Sequence, residues 1–154
     1  ILHKAGIKDQ DEREDYLRHA PWKGEDADRA PRRMDDARYE ELKAREQFIL
    51  TVCANGYGKL SSAYEYRRTG RGGQGITNID NIARNGPVVA SFPASKGHQL
   101  MLVTDQAKLI RMSLGDLRVR ATREASTSYM PGSRSRTRRV PSIKGFRSTI
   151  APVD

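Results

Sequence analysis

The chain has 154 residues, of which 36% are hydrophobic, 6% aromatic and 31% charged, with a formal net charge of +9 and a pI near 10.0. This is thin apolar content for one compact core of that length, so only part of the chain is expected to pack well. The positive excess points to a polyanionic partner, nucleic acid ahead of acidic protein or a membrane surface. The single Cys53 excludes a disulfide framework and a cysteine-based metal site, and His3, His19 and His98 are scattered, so no metal set is expected. The lone Cys53 makes a reducing cytosol the expected setting, and no apolar run approaches the roughly 20 residues of a membrane helix, nor is a leader pattern visible, so no membrane contact is expected. The start at Ile1 suits a fragment of a longer protein.

Residues 1–47 carry thirteen acidic and eleven basic side chains and so contribute almost no net field. Asp9 followed by Glu12 offers a capping-box start for a helix through Tyr16 and Leu17, and Asp35 is placed to cap a second helix carrying Tyr39 and Leu42. Pro21, Gly24 and Pro31 break the stretch between them, where Trp22 is the only large apolar residue. A mobile linker or surface insertion is the expectation.

From residue 48 the pattern changes. Phe48 to Cys53 is a β-rich run meeting a turn at Asn55-Gly56-Tyr57-Gly58, and Lys59 through Tyr66 forms the return limb. Next comes Gly70-Arg71-Gly72-Gly73-Gln74-Gly75, after which Ile76 to Ile79 resumes extended structure. Glycines let main-chain N–H groups approach an anion, and arginine supplies a charged fork matched to phosphate oxygens. Taken alone, such a string also occurs in disordered RNA-binding tails and plain turns. Asn85-Gly86 is another turn, Val88 to Phe92 a strand ended by Pro93, Leu100 to Thr104 a further strand, and Lys108 to Met112 its return limb.

The two hairpins align as a repeat. Ile49 falls on Leu100 and Val52 on Val103, an offset of 100 − 49 = 51, and Lys59 falls on Lys108, an offset of 108 − 59 = 49. Antiparallel repeats of this length are the mark of propeller-like arrays. The predicted fold class is therefore all-β, with 48–118 as one or two blades, 1–47 as a charged helical insertion and 119–154 as a disordered basic tail. That tail has eight basic residues against Glu124 and Asp154. It reads either as a nucleic-acid-binding arm or as a stretch without selected structure, produced by truncation or a reading-frame error.

Residues 48–118 hold nine basic side chains against four acidic ones, and the excess clusters near the glycine loop. Arg71 with Gly72, Gly73 and Gly75, flanked by Arg67 and Arg68, forms the predicted phosphate contact. Lys59, Lys108 and Arg111 on the return limbs complete the set, while Tyr57, Tyr64 and Tyr66 are expected to pack rather than stack on bases. No Ser/His/Asp or Cys/His arrangement and no phosphate-binding strand–loop–helix motif is present, so the chain is expected to perform no chemistry itself.

At Ile49-Leu50-Thr51-Val52, Asn55-Gly56-Tyr57-Gly58-Lys59, Glu65-Tyr66-Arg67, Arg71 to Ile76, Arg84-Asn85-Gly86, Val88-Val89, Leu100 to Asp105 and Lys108 to Arg111, the chain resembles the C-terminal domain of the bacterial DNA gyrase A protein. The resemblance implies the last blades of a β-pinwheel, a propeller relative whose basic rim wraps duplex DNA, with the cleavage domain upstream. More loosely, Asp11 to Leu17 is similar to the first helix of an insertion found in some of these proteins. The family's Gln-Arg-Arg-Gly-Gly-Lys-Gly box belongs to its first blade. Here Thr69, Gly70 and Gln74 replace the Gln, the first Arg and the Lys, which makes this loop a degenerate later-blade counterpart. The resemblance further implies a bacterial, nucleoid-associated location and an A2B2 assembly with gyrase B. It implies no cofactor in this chain, with ATP and Mg2+ entering the intact isomerase through gyrase B. The alternatives are the corresponding domain of the topoisomerase IV A protein and a propeller-type protein-interaction module.

Overall fold

The computed structural model of the chain describes residues 6–27, 29–68, 72, 75–79, 83–103, 109–122, 127 and 128. Helix α1, Gln10–Arg18, begins where expected. The Asp9 carboxylate accepts the N–H groups of Asp11 at 2.8 Å and Glu12 at 3.3 Å, satisfying donors that a helix start leaves open. Glu12 takes the Arg38 guanidinium of helix α2, Asp36–Arg45, at 2.6 and 3.3 Å, a charge-assisted fork stronger than a bond to one neutral amide. Asp35 stands at the N-cap of α2, but its side chain makes no capping bond.

The region expected to be a mobile linker or a surface insertion is helical, and it has a packed centre of its own. Tyr16 lies 5.4 Å centroid to centroid from Tyr39 and 5.1 Å from Tyr64, the latter pair edge to face. Ile7, Ala20 and Leu42 join them in one buried cluster, and Trp22 packs against both this cluster and the β core. Glu46 ties the two regions together. Its carboxylate accepts Tyr16 Oη at 3.1 Å, Trp22 Nε1 at 2.9 Å and Ser62 Oγ at 2.6 Å. The sequence concealed this because each aromatic stands alone in a charged stretch, and one member of the cluster, Tyr64, comes from beyond residue 48.

Strand β1, Phe48–Cys53, pairs antiparallel with β2, Tyr57–Ser62, and with β3, Val88–Ala94. β3 runs through Pro93, which sits opposite Ile49 on an edge strand, where a missing N–H is tolerated. Strands β4, Gln99–Val103, and β5, Leu109–Ser113, form a second antiparallel pair, and the short β6, Thr127–Ser128, completes the first sheet in the order β3-β1-β2-β6. Residues 76–79 form no strand. Alternate residues Phe48, Leu50 and Val52 of β1, with Leu60 of β2, meet Leu100 and Leu102 of β4 and Leu114 in one core, so the two sheets bury a shared apolar layer.

The repeat is more regular than the sequence alignment suggests. Ala63 N–H donates to the Gln47 carbonyl at 2.7 Å and Leu114 N–H to that of His98 at 2.9 Å, so 114 − 63 = 98 − 47 = 51. Each return strand ends on a serine whose hydroxyl accepts an N–H two residues on, Ser62 from Tyr64 and Ser113 from Gly115, both at 3.2 Å. The registers Phe48↔Ser62 and Gln99↔Ser113 keep that offset through the turn, which places Lys59 on Ile110 (59 + 51) rather than on Lys108.

The chain also stays in the fold beyond residue 118. Val119 bridges Leu60, Arg120 N–H donates to the Leu60 carbonyl at 2.8 Å, and β6 pairs with β2. Residues 119–122 are thus held by backbone and side-chain hydrogen bonds, which composition does not register. Residues 129–154 lie outside the described residues.

Candidate nucleic-acid interface

The first hairpin turn is braced by the segment that follows the glycine loop. Gly56, at φ 77°, donates its N–H to the Cys53 carbonyl at 3.0 Å. Asn55 then receives the incoming chain: its side-chain amide donates to the carbonyls of Ala83 at 3.3 Å and Arg84 at 3.0 Å, and its N–H to that of Asn85 at 3.1 Å. Gly86, at φ 71°, lies against this Asn55 side chain, and a Cβ there would come within 3.1 Å of Asn55 Cγ. Arg84 is exposed, with its guanidinium 5.0 Å from the Tyr57 ring centroid. Sequence reasoning does not single it out as a contact, although Arg84-Asn85-Gly86 carries part of the resemblance.

The two feet of the glycine loop are joined by side chains. Tyr66 Oη donates to Asn78 Oδ1, and Asn78 Nδ2 donates to Thr51 Oγ1 at 2.6 Å, which in turn pairs with Ser91 Oγ at 3.1 Å. This chain of contacts runs from the loop to the centre of β1 and on to β3. Burial pushes the Tyr66 phenol up to about 12, so it remains a donor at neutral pH.

Of the predicted contacts, Arg67 is exposed and Arg68 half-buried, adjacent in sequence at the first foot of the loop. Gly72 and Gly75 adopt φ of +78° and +75° with nothing within 4 Å of a Cβ position, so glycine is required there by backbone conformation rather than by crowding. Arg111 is exposed on β5 and donates from Nε to Gln99 Oε1 across the hairpin. Arg71, Gly73 and Lys108 lie outside the described residues.

Lys59 is misplaced by the sequence reading. It is 1% exposed, and Nζ donates to the carbonyls of Ala121 at 3.1 Å and Thr122 at 2.6 Å. An ammonium so enclosed holds the chain that crosses β2 and has no route to a phosphate. β2 is buried on both faces from Gly58 to Ser62, and the small, uncharged run Leu60-Ser61-Ser62-Ala63 beside Lys59 was the available signal of an inner strand. Nearby, burial pushes the Glu65 carboxyl up, against the opposing pull of Lys23, Arg13 and Lys59 and a backbone bond from Thr122.

Comparison with known proteins places this architecture. Residues 47–95 and 98–123 match the family model described as DNA gyrase C-terminal domain, beta-propeller. Through residues 47–123 the chain belongs to the DNA gyrase C-terminal domain family. The paired antiparallel sheets are a partial pinwheel of that family, and the match continues past the boundary expected at 118. The chain is 48% identical over 87 residues, 56% of its length, to the DNA gyrase A protein of Granulibacter bethesdensis. It is 49% identical over 79 residues, 51% of its length, to the gyrase A protein of Rickettsia prowazekii. With that of Salmonella typhimurium it shares 32% identity over 109 residues, 71% of its length. The matched stretches cover 9% to 12% of these relatives. Among the described residues, no group of three or more His, Cys, Asp or Glu is placed to hold a metal ion, and no helix is long and apolar enough to cross a membrane.

Proposed function

We propose that the β region binds duplex DNA without sequence preference, through backbone phosphates, and that within a longer gyrase A protein it helps wrap DNA for ATP-dependent negative supercoiling. The observation that supports this is a glycine loop that holds Gly72 and Gly75 in left-handed backbone and follows Arg67 and Arg68 in sequence, in a domain of the gyrase C-terminal family. Even with Lys59 discounted, residues 48–118 retain eight basic side chains against four acidic ones. Arg71, Gly73 and Lys108 belong to the same proposal, with Arg111 and Arg84 as outlying contacts.

Each phosphate neutralised releases condensed counterions, so affinity falls with salt with a log–log slope of about −0.9 per contact. No base-reading element enters the proposal. Bending a duplex of 20–30 bp costs on the order of 1–6 kcal/mol, so full wrapping draws on further blades of the longer protein. ATP and Mg2+ act through gyrase B in a bacterial, cytoplasmic A2B2 assembly. The test is a gel shift and anisotropy titration of the full chain with short and long duplexes across a range of salt. Salt-sensitive binding that strengthens with duplex length is expected. Affinity that does not change with salt, or no shift with either duplex, refutes the proposal and favours a protein-interaction module.

A further inference from the structure

A cleft of about 480 Å³ lies where the helical insertion meets the first hairpin, floored by Ile7, Leu42 and Tyr64. Three cations reach it from separate stretches of sequence: Lys8 just before α1, Arg45 at the end of α2, and Arg68 at the foot of the glycine loop. Two carboxylates also line it, and both are already engaged. Asp9 caps α1 through the N–H groups of Asp11 and Glu12, and Glu12 holds Arg38, a further cation of the lining. Arg45 pairs with Glu41 at 3.0 Å in a solvent-exposed contact that constrains it little. Lys8 is exposed. The lining thus carries four cationic side chains, Lys8, Arg38, Arg45 and Arg68, against two carboxylates, despite the nearly neutral sequence around it.

We propose that this cleft is a second phosphate-binding site, through which the insertion extends the path of the same duplex that meets the glycine loop. The proposal rests on the DNA-binding reading above. Arg68 belongs to both surfaces: it follows Arg67 at the foot of the loop and also lines the cleft, so a backbone that reaches the loop foot passes the cleft mouth. Insertion and blade are held in one register by Glu46, which fixes where Lys8 and Arg45 stand relative to Arg68.

The test uses the full chain, a long duplex and a salt titration of three variants: Lys8→Gln, Lys8→Gln/Arg45→Gln and, as the control for the loop surface, Arg67→Gln. The double variant is expected to lose about 0.9 from the log–log salt slope for each phosphate released, which is roughly eightfold weaker binding per contact at about 0.1 M salt. Its melting profile should match the parent, because neither side chain is buried. If the parent binds and Arg67→Gln weakens it while the double variant keeps the parental slope, the cleft proposal fails and the loop reading stands. If the parent does not bind, both fail.

Discussion

Replacing Lys59 by methionine separates a structural lysine from a DNA contact. Methionine keeps the length of the buried stem but removes the ammonium, leaving without it the Ala121 and Thr122 carbonyls that it now meets at 3.1 and 2.6 Å. Orphaning a buried acceptor costs about 1–3 kcal/mol, and bonds from a charged donor sit at the upper end of that range. Relief of the ammonium's desolvation offsets part of the loss. A net destabilisation of about 2–4 kcal/mol is expected, concentrated on residues 119–122. Amide exchange should show it first at Arg120, whose N–H donates to Leu60 across the same junction, and denaturant unfolding of the full chain should give the total. The DNA salt slope of the folded variant should equal that of the parent. A variant of unchanged stability whose slope falls by about 0.9 would refute the reasoning, since that pattern belongs to a lysine on a phosphate.

Glu46→Ala removes the shared acceptor of Tyr16, Trp22 and Ser62, and a loss of about 2–4 kcal/mol with faster exchange across α1 and α2 is expected. Retained protection in both helices would show that the tyrosine cluster alone holds the insertion. Gly86→Ala combines left-handed backbone with a Cβ 3.1 Å from Asn55 Cγ, and should lower the melting temperature by the equivalent of about 1–3 kcal/mol. A neutral outcome in thermal melts would mean that Asn55 is free to move aside.

The β region was legible because its signals are local. A β-rich run, a turn and a return limb appear twice, and each declares itself within a dozen residues, as does the helix start at Asp9. Register was harder to read. The offset of 51 is carried by backbone bonds such as Ala63 to Gln47 and Leu114 to His98, whereas side-chain similarity drew Lys59 toward Lys108. The charge of Lys59 likewise suggested a surface role that its position in β2 denies.

What the sequence determined by itself was the propeller-like repeat, the basic excess and the glycine loop with its flanking arginines, because turn chemistry, strand periodicity and charge are properties of neighbouring residues. Only the tertiary structure decided that the insertion is packed, that the chain remains in the sheet beyond residue 118, and that Lys8, Arg45 and Arg68 share one cleft. The physical reason is common to all three. Tyr16 meets Tyr64, Lys59 meets Thr122 and Lys8 shares a cleft with Arg68 across roughly 50 residues or more of chain, and contacts at that separation depend on how the elements pack rather than on any pattern within one of them.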